Sequence, residues 1–319
     1  MNHLKTSFEQ FIGHHKYQDA PQGLFEPINY ILALKGKRFR PILLLAAHRA
    51  YQGDFAEAMP GAMAIEVFHN FTLLHDDIMD KAPLRRGERT VHEKYDTNTA
   101  ILAGDAMMIS AYQWLGQYAH LSNFSDILST FSQTAMDVCR GQQMDMDFEQ
   151  SWDVTADDYL EMIRLKTAVL LGASLKIGAL IGGASADDAH TFYEFGIKAG
   201  LAFQIQDDIL DSFGSTAAVG KQIGGDIIQN KKTFLLVQTL AKAKDRQALI
   251  DFMMKTADQK TKINKVKELM MATGALDDAD MLRDDYYEQS LELLDKLHIP
   301  DKQKEFFSEL ALKMARRMF

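Results

Sequence analysis

LLHDDIMD, residues 73–80, sets three aspartates within five positions of an apolar run, and FQIQDDILD, residues 203–211, repeats the arrangement. Residues four apart share one face of a helix. Asp76 and Asp80 therefore point the same way, as do Asp207 and Asp211, while Asp77 and Asp208 sit about 100° further round. The segments leading into both motifs have few positions that suit water. AMAIEVFHNFTLLHDDI is apolar nearly all round, and such a helix belongs in the middle of a bundle. Two such helices facing each other would line a cavity with at least four carboxylates. Unpaired, these would repel one another and lose hydration. All the ligands are oxygen, so a hard cation is indicated. Magnesium takes one or two carboxylates and completes its shell with water and phosphate oxygens. The two aspartate sets are thus expected to hold a diphosphate through magnesium. A single DDxxD motif is more often a solvated acidic face; two inside apolar stretches are hard to read that way.

The rest of the chain agrees with a helical reading. Of 319 residues, 47% are apolar and only six are proline, which favours long uninterrupted elements. Helices are expected over 24–34, 41–52, 57–81, 98–118, 125–148, 155–183, 186–213, 230–242, 245–254, 259–272, 275–295 and 300–318. Gly53-Asp54 and Pro83 mark ends; Thr155, Ser185 and Asp301 read as N-caps. No segment reads as a strand, and no Pro/Gly/Ser-rich linker divides the chain. The expected fold is all-α, a single domain over 1–319 built as one bundle of roughly ten or more helices around an apolar cavity. The net charge of −9 argues against nucleic acid as a partner. Cys139, the one cysteine, excludes an internal disulfide and a cysteine-rich zinc site. No transmembrane run and no signal peptide is read, so a soluble, cytoplasmic protein is expected.

Against this acidic average, basic residues cluster. LKGKRFRP holds Lys35, Lys37, Arg38 and Arg40 before a helix opened by Pro41. Proline suits a first helical turn, and a helix N-terminus offers free N–H groups to an anion. Arg85 and Arg86 follow the first acidic motif in APLRRGERT. Lys221, Lys231 and Lys232 follow the second in GKQIGGDIIQNKKT, and Lys166 opens an apolar run in RLKTA. Each alone reads as a basic turn, a salt bridge or a snorkelling side chain. Together they suggest a metal-loaded site for one diphosphate beside a metal-free basic site for another.

Taken in order, GKRFRP, HDDIMDKAPLRRG, GQQMD, KTA, FQIQDDILD, GKQIGGD and NKKT resemble the trans-isoprenyl diphosphate synthases, the polyprenyl synthetase family, of short-chain farnesyl or geranylgeranyl type. The residues beyond about 240 carry little of that signature. One departure is Lys35, where the family often has glycine. The resemblance implies an isoprenoid-synthase bundle, a homodimer, and about three magnesium ions with substrate bound. It implies metal and allylic-diphosphate roles for Asp76, Asp77 and Asp80, and for Asp207, Asp208 and Asp211. Arg85, Lys166, Lys221 and Lys231 match positions that grip the allylic diphosphate. Lys37, Arg40, His69 and Arg86 match the isopentenyl diphosphate site. Thr167 and Gln204 match polar positions near the reacting carbons, and Gln142 and Asp145 match a motif near the metals.

The implied reaction condenses isopentenyl diphosphate head-to-tail with dimethylallyl, geranyl or farnesyl diphosphate. The allylic C–O bond ionises, the isopentenyl double bond attacks, and the released diphosphate takes the proton. The prenyl tail is expected to run back along the helix of LLHDDIMD. Thr72 lies one turn, about 5.4 Å, before Asp76. Phe71 precedes Asp76 by five residues, and Phe68 lies deeper, so the aromatic rings read as a floor. A fifteen- or twenty-carbon product is expected, with twenty favoured; both rings also fit ordinary core packing. Competing readings are a class I terpene cyclase, a non-catalytic subunit of a heteromeric synthase, and a helical acidic scaffold or calcium binder.

Overall fold

The helix that carries the first acidic motif is buried along most of its length. In this computed structural model, which describes residues 1–214 and 224–316, it runs Met59–Met79 after a short 3-10 turn at Ala56–Ala58. Ala62, Met63, Ala64, Ile65, Val67 and Phe68 are fully buried. Glu66, in the same apolar stretch, is buried because Arg38 lies 2.5 Å from it and Asn70 donates to it at 2.9 Å.

In chain order the helices are α1 Asn2–His14, α2 Gln22–Ala33, α3 Phe39–Gln52, α4 Met59–Met79, α5 Val91–Lys94, α6 Thr97–Gly116, α7 Phe124–Glu149, α8 Ala156–Ile163, α9 Val169–Ile181 and α10 Ala186–Phe213. Then follow α11 Gly225–Ile228, α12 Phe234–Lys242, α13 Arg246–Lys255, α14 Gln259–Ala272, α15 Ala275–Lys296 and α16 Asp301–Arg316. The fold is all-α. The sheet among the described residues is a two-strand hairpin, β1 Leu84–Arg85 with β2 Glu88–Arg89, where the sequence showed no strand. Two residues per strand leave no alternation to read.

Other differences have local causes. Helix α1 was not expected; its sequence is short and mostly polar, and Leu4 and Phe8, one turn apart, bury it. The expected helix over 155–183 is broken by a π-turn, Arg164–Ala168. The region 230–242 forms helix only from Phe234, where the Thr233 hydroxyl accepts from Leu236 N–H. Thr155 does cap α8, in a reciprocal box with Asp158, and the Ser185 hydroxyl accepts from Asp188 N–H. Asp301 is the first helical residue rather than the cap.

The described chain clusters into two units, with boundaries that fall inside helices. The first comprises Met1–Phe131 and Ala173–His190. Its core is α3, α4 and α6, with α4 packed most extensively along α6. The second comprises Ser132–Gly172 and Thr191–Phe319. Phe192, Phe195 and Phe307 pack there edge to face, with ring centroids 5.0 and 6.0 Å apart.

Within the first unit the helices approach closely where glycine permits. A Cβ on Gly178 would stand 2.1 Å from the Leu44 carbonyl oxygen of α3. Gly178→Ala is therefore expected to destabilise the fold by about 1–3 kcal/mol through overpacking. Urea denaturation measures this; an unchanged midpoint would contradict the packing.

Candidate active site

The first acidic motif ends α4. Asp76 is half-buried and Asp80, at the helix C-cap, is exposed. The middle residue, Asp77, is only 3% exposed. Arg85 Nε donates to its Oδ2 at 2.7 Å, and Arg85 Nη2 pairs with its Oδ1 at 2.7 Å. Burial raises the Asp77 carboxyl, against the opposing pull of Arg85. Asp77, expected among the metal ligands, pairs with Arg85 in this structure. Arg85 also lies 3.6 Å from Asp76.

Arg85 and Arg86 are consecutive, yet they serve different surroundings. They lie in the hairpin, where Arg86 and Gly87 form the turn with φ of 55° and 82°. Both central residues have positive φ, as the right-handed twist of a tight hairpin favours. Arginine in that conformation stores about 1–3 kcal/mol of strain. The reversal sends the Arg86 guanidinium back to the basic segment. Its Nη1 lies 2.7 Å from where a Gly36 Cβ would stand, and 3.4 Å from the Leu34 carbonyl. A side chain at 36 would push the Arg86 guanidinium aside. Lys35, the departure from the family pattern, is exposed there.

Arg38 also has positive φ, 53°, at the N-cap of α3. Besides pairing with Glu66 it donates to the Leu32 and Leu34 carbonyls at 2.6 and 2.9 Å, so it organises the loop. Arg40 and His69 meet at 3.2 Å between Nη1 and Nε2. Burial pulls the Arg40 guanidinium down to about 10, opposed by Glu66 and aided by Arg86. Burial and then Arg40, Arg86, Arg85 and Arg38 hold the His69 ring well below its usual value, so neutral His69 accepts from Arg40. Lys37 is exposed. The cluster concentrates positive charge around one paired carboxylate, Glu66, which suits an anion.

The second acidic motif lines a cleft of about 220 Å³ within the second unit. Asp145, Asp207, Asp208, Asp211 and Asp226 face Lys166, Lys231 and Lys232 there, with Thr167, Gln204 and Tyr159 among the remaining walls. Again the middle aspartate is tied back. Asp208 is 3% exposed and accepts from the Tyr159 hydroxyl and, at 3.3 Å, from Gln204. Burial lifts its carboxyl to about 8. Thr167 donates to Gln204 at 3.3 Å, which orients the amide. Asp211 accepts from Asp226 N–H at 3.0 Å. Lys166 pairs with Asp145 at 2.6 Å, and Gln142 is half-buried one turn earlier on α7.

Lys166 and Thr167 project from the π-turn, a feature that often marks functional positions. A Cβ on Gly141 of α7 would lie 2.3 Å from Lys166 N, so the bare glycine lets α7 approach the widened turn. Lys221 lies outside the described residues. Three contributors were not foreseen. Tyr159 gave no sequence signal, and Asp226 closes the quoted GKQIGGD motif without having been singled out. Arg283, in the part of the chain with little signature, is buried and donates to Gln206 at 2.9 Å, supporting α10 beside Asp207.

The aromatic positions assemble within the first unit. Phe68 and Phe71 rings lie 5.6 Å apart, and Phe68 meets Phe131 at 5.1 Å. Thr72 donates to the His69 carbonyl at 2.8 Å. Among the described residues no group of three His, Cys, Asp or Glu side chains is arranged to hold a metal by itself. The partly exposed carboxylates beside cationic side chains fit magnesium that takes much of its shell from phosphate and water. Among the described residues no helix is long and apolar enough to cross a membrane.

The all-α fold, two acidic helix segments and a separate basic cluster define an enzyme that handles diphosphates. The chain matches the polyprenyl synthetase family model over residues 21–271 and belongs to that family of prenyl-transferring enzymes. It is 36% identical to a geranylgeranyl diphosphate synthase of Methanosarcina mazei, covering 88% of this chain and 86% of that one. A geranylfarnesyl diphosphate synthase of Natronomonas pharaonis is 35% identical, over 87% of this chain and 85% of the relative. A crystal structure of geranylgeranyl pyrophosphate synthase superposes with a TM-score of 0.94 at 40% identity, covering 98% of both chains.

The neutral His69 ring makes the fold sensitive to acid. Unfolding frees the ring to protonate near 6.5, while the folded ring stays neutral well below that value. The folded state then binds fewer protons, so stability falls as pH drops below the unfolded value. The slope from this group approaches about 1.4 kcal/mol per pH unit until the folded ring itself protonates. His69→Gln is expected to remove that component, as read by urea denaturation across pH; identical acid dependence in variant and parent would contradict it.

Proposed function

We propose that the chain, acting as one catalytic domain, condenses isopentenyl diphosphate head-to-tail with an allylic diphosphate to a short-chain all-trans prenyl diphosphate. The observation that carries this reading is the division of labour between Arg85 and Arg86. One arginine serves the acidic helix end, and the next completes a cluster with Arg40 and His69. That provides a metal-assisted diphosphate site and a metal-free one within a single unit, as a reaction of two diphosphates requires.

In this reading Asp76, Asp80, Asp207 and Asp211 would hold magnesium ions, about three with substrate bound. Asp77 and Asp208 position the motifs through Arg85, Tyr159 and Gln204. Magnesium supplies Lewis-acid stabilisation of charge on the leaving diphosphate. Arg85 beside the first motif, and Lys166 and Lys231 beside the second, supply positive charge to diphosphate oxygens as the C–O bond breaks; Lys221, outside the described residues, is assigned the same role. Thr167 and Gln204 stand near the allylic carbons. Lys37, Arg40 and Arg86 orient the isopentenyl diphosphate, whose double bond attacks the allylic carbon. The departing diphosphate accepts the proton, since no side chain is assigned as base. Apolar walls keep water from the cation. Phe71, backed by Phe68 and beside Thr72, ends the tail channel and favours a twenty-carbon product.

The protein acts in the cytoplasm as a homodimer. In support of the dimer, Leu102 and Ile109 of α6 are 59% and 61% exposed two turns apart, an apolar face that a second copy would cover.

The test is incubation of the purified chain with isopentenyl diphosphate and allylic primers of increasing length, followed by chromatography. Magnesium-dependent formation of twenty-carbon prenyl diphosphate is expected. Hydrocarbon released from the allylic diphosphate alone, or no product in any mixture, would contradict the reading.

A further inference from the structure

His75 precedes the first metal-facing aspartate, and neither the acidic nor the basic site uses it. It shares a helix face with Phe71, four residues earlier, and their ring centroids lie 4.8 Å apart at 66°. The imidazole is anchored on its far side. Its Nε2 stands 3.2 Å from the Ile101 carbonyl oxygen of α6. A carbonyl only accepts, so Nε2 carries the proton and donates.

The ring reaches that carbonyl because α6 has no side chain at the next turn. A Cβ on Gly104 would lie 2.2 Å from His75 Nε2, 2.6 Å from Cδ2 and 3.1 Å from Cε1. Gly104 is buried in ordinary helical conformation, so no left-handed backbone calls for glycine there. The hollow is filled by the imidazole. On its other side Phe71 leans on Phe68, which is fully buried. Phe68 in turn meets Phe131, and Phe131 meets Tyr112 at 5.0 Å. Close-packed aromatic groups yield little. The face of Phe71 that can be released is the one held by His75.

We propose that Gly104 is a specificity-determining residue: it is the seat for His75, and His75 fixes Phe71 as the end of the prenyl channel. The proposal rests on the reading of Phe71 as that end. Adding a methyl group at 104 evicts the imidazole, frees Phe71 to swing, and lengthens the space for the tail.

Purified full-length Gly104→Ala, His75→Ala, the double variant and Phe71→Ala are compared with the parent by chromatography of products. Gly104→Ala is expected to shift the dominant product up by one isoprene unit. His75→Ala does the same, and the double variant matches His75→Ala, because an absent ring cannot be displaced. Should Gly104→Ala fail to fold, His75→Ala carries the comparison with the seat left intact. An unchanged product spectrum in His75→Ala, or in a folded Gly104→Ala with only its turnover lowered, overturns the proposal. Phe71→Ala separates the two ideas: longer products there without a shift in the other variants sink the seat alone. Unchanged products in Phe71→Ala sink the floor reading and the seat with it.

Discussion

Carboxylates at the ends of buried helices must be neutralised, and the rest of the site follows from how that is done. Each acidic motif places three aspartates on one stretch of helix. Placing all of them toward one cation would crowd like charges in a region of low hydration. The protein relieves this by turning the middle residue inward. Asp77 is met by an arginine and Asp208 by a tyrosine hydroxyl and an amide. The two solutions differ chemically. Arg85 cancels a charge, whereas Tyr159 and Gln204 donate only hydrogen bonds, and Asp208 accordingly has its carboxyl lifted to about 8. In both cases the first and last aspartates remain more accessible than the middle one.

The same economy governs the basic side. Arg38 is committed to Glu66 and two loop carbonyls, so it fixes the backbone of the basic segment. Arg40, Arg86 and His69 are left beside one another, with burial and mutual repulsion lowering the first two and keeping the third neutral. A cluster of this kind is costly without an anion. Left-handed backbone at Arg38 and Arg86 adds strain in the two loops that build it. Strain and uncompensated charge at the same place are what a binding site stores and a ligand relieves.

Much of this was legible in the sequence because helix periodicity is strict. Four-residue spacing puts Asp76 with Asp80 and Asp207 with Asp211, which the structure leaves more accessible than Asp77 and Asp208, and the apolar run before the first motif reads directly as buried helix. What escaped depended on distant partners. Nothing local says that Asp77 meets Arg85, because the deciding turn at Arg86-Gly87 is a hairpin too short to show alternation. The π-turn at Arg164–Ala168 adds a residue to a helical turn without changing the apolar pattern. Tyr159 and Arg283 matter through contacts with α10, on which periodicity is silent. Gly104 had no visible role until the ring of His75 was placed against it.

In the proposed reaction the acidic sets act through magnesium while the basic cluster binds diphosphate without it. Calorimetric titration of the purified chain with an unreactive allylic diphosphate analogue and, separately, with isopentenyl diphosphate tests this most directly, each with and without magnesium. The allylic analogue is expected to lose its affinity when magnesium is removed, while isopentenyl diphosphate retains most of its own. Equal binding of the allylic analogue in both buffers would contradict it.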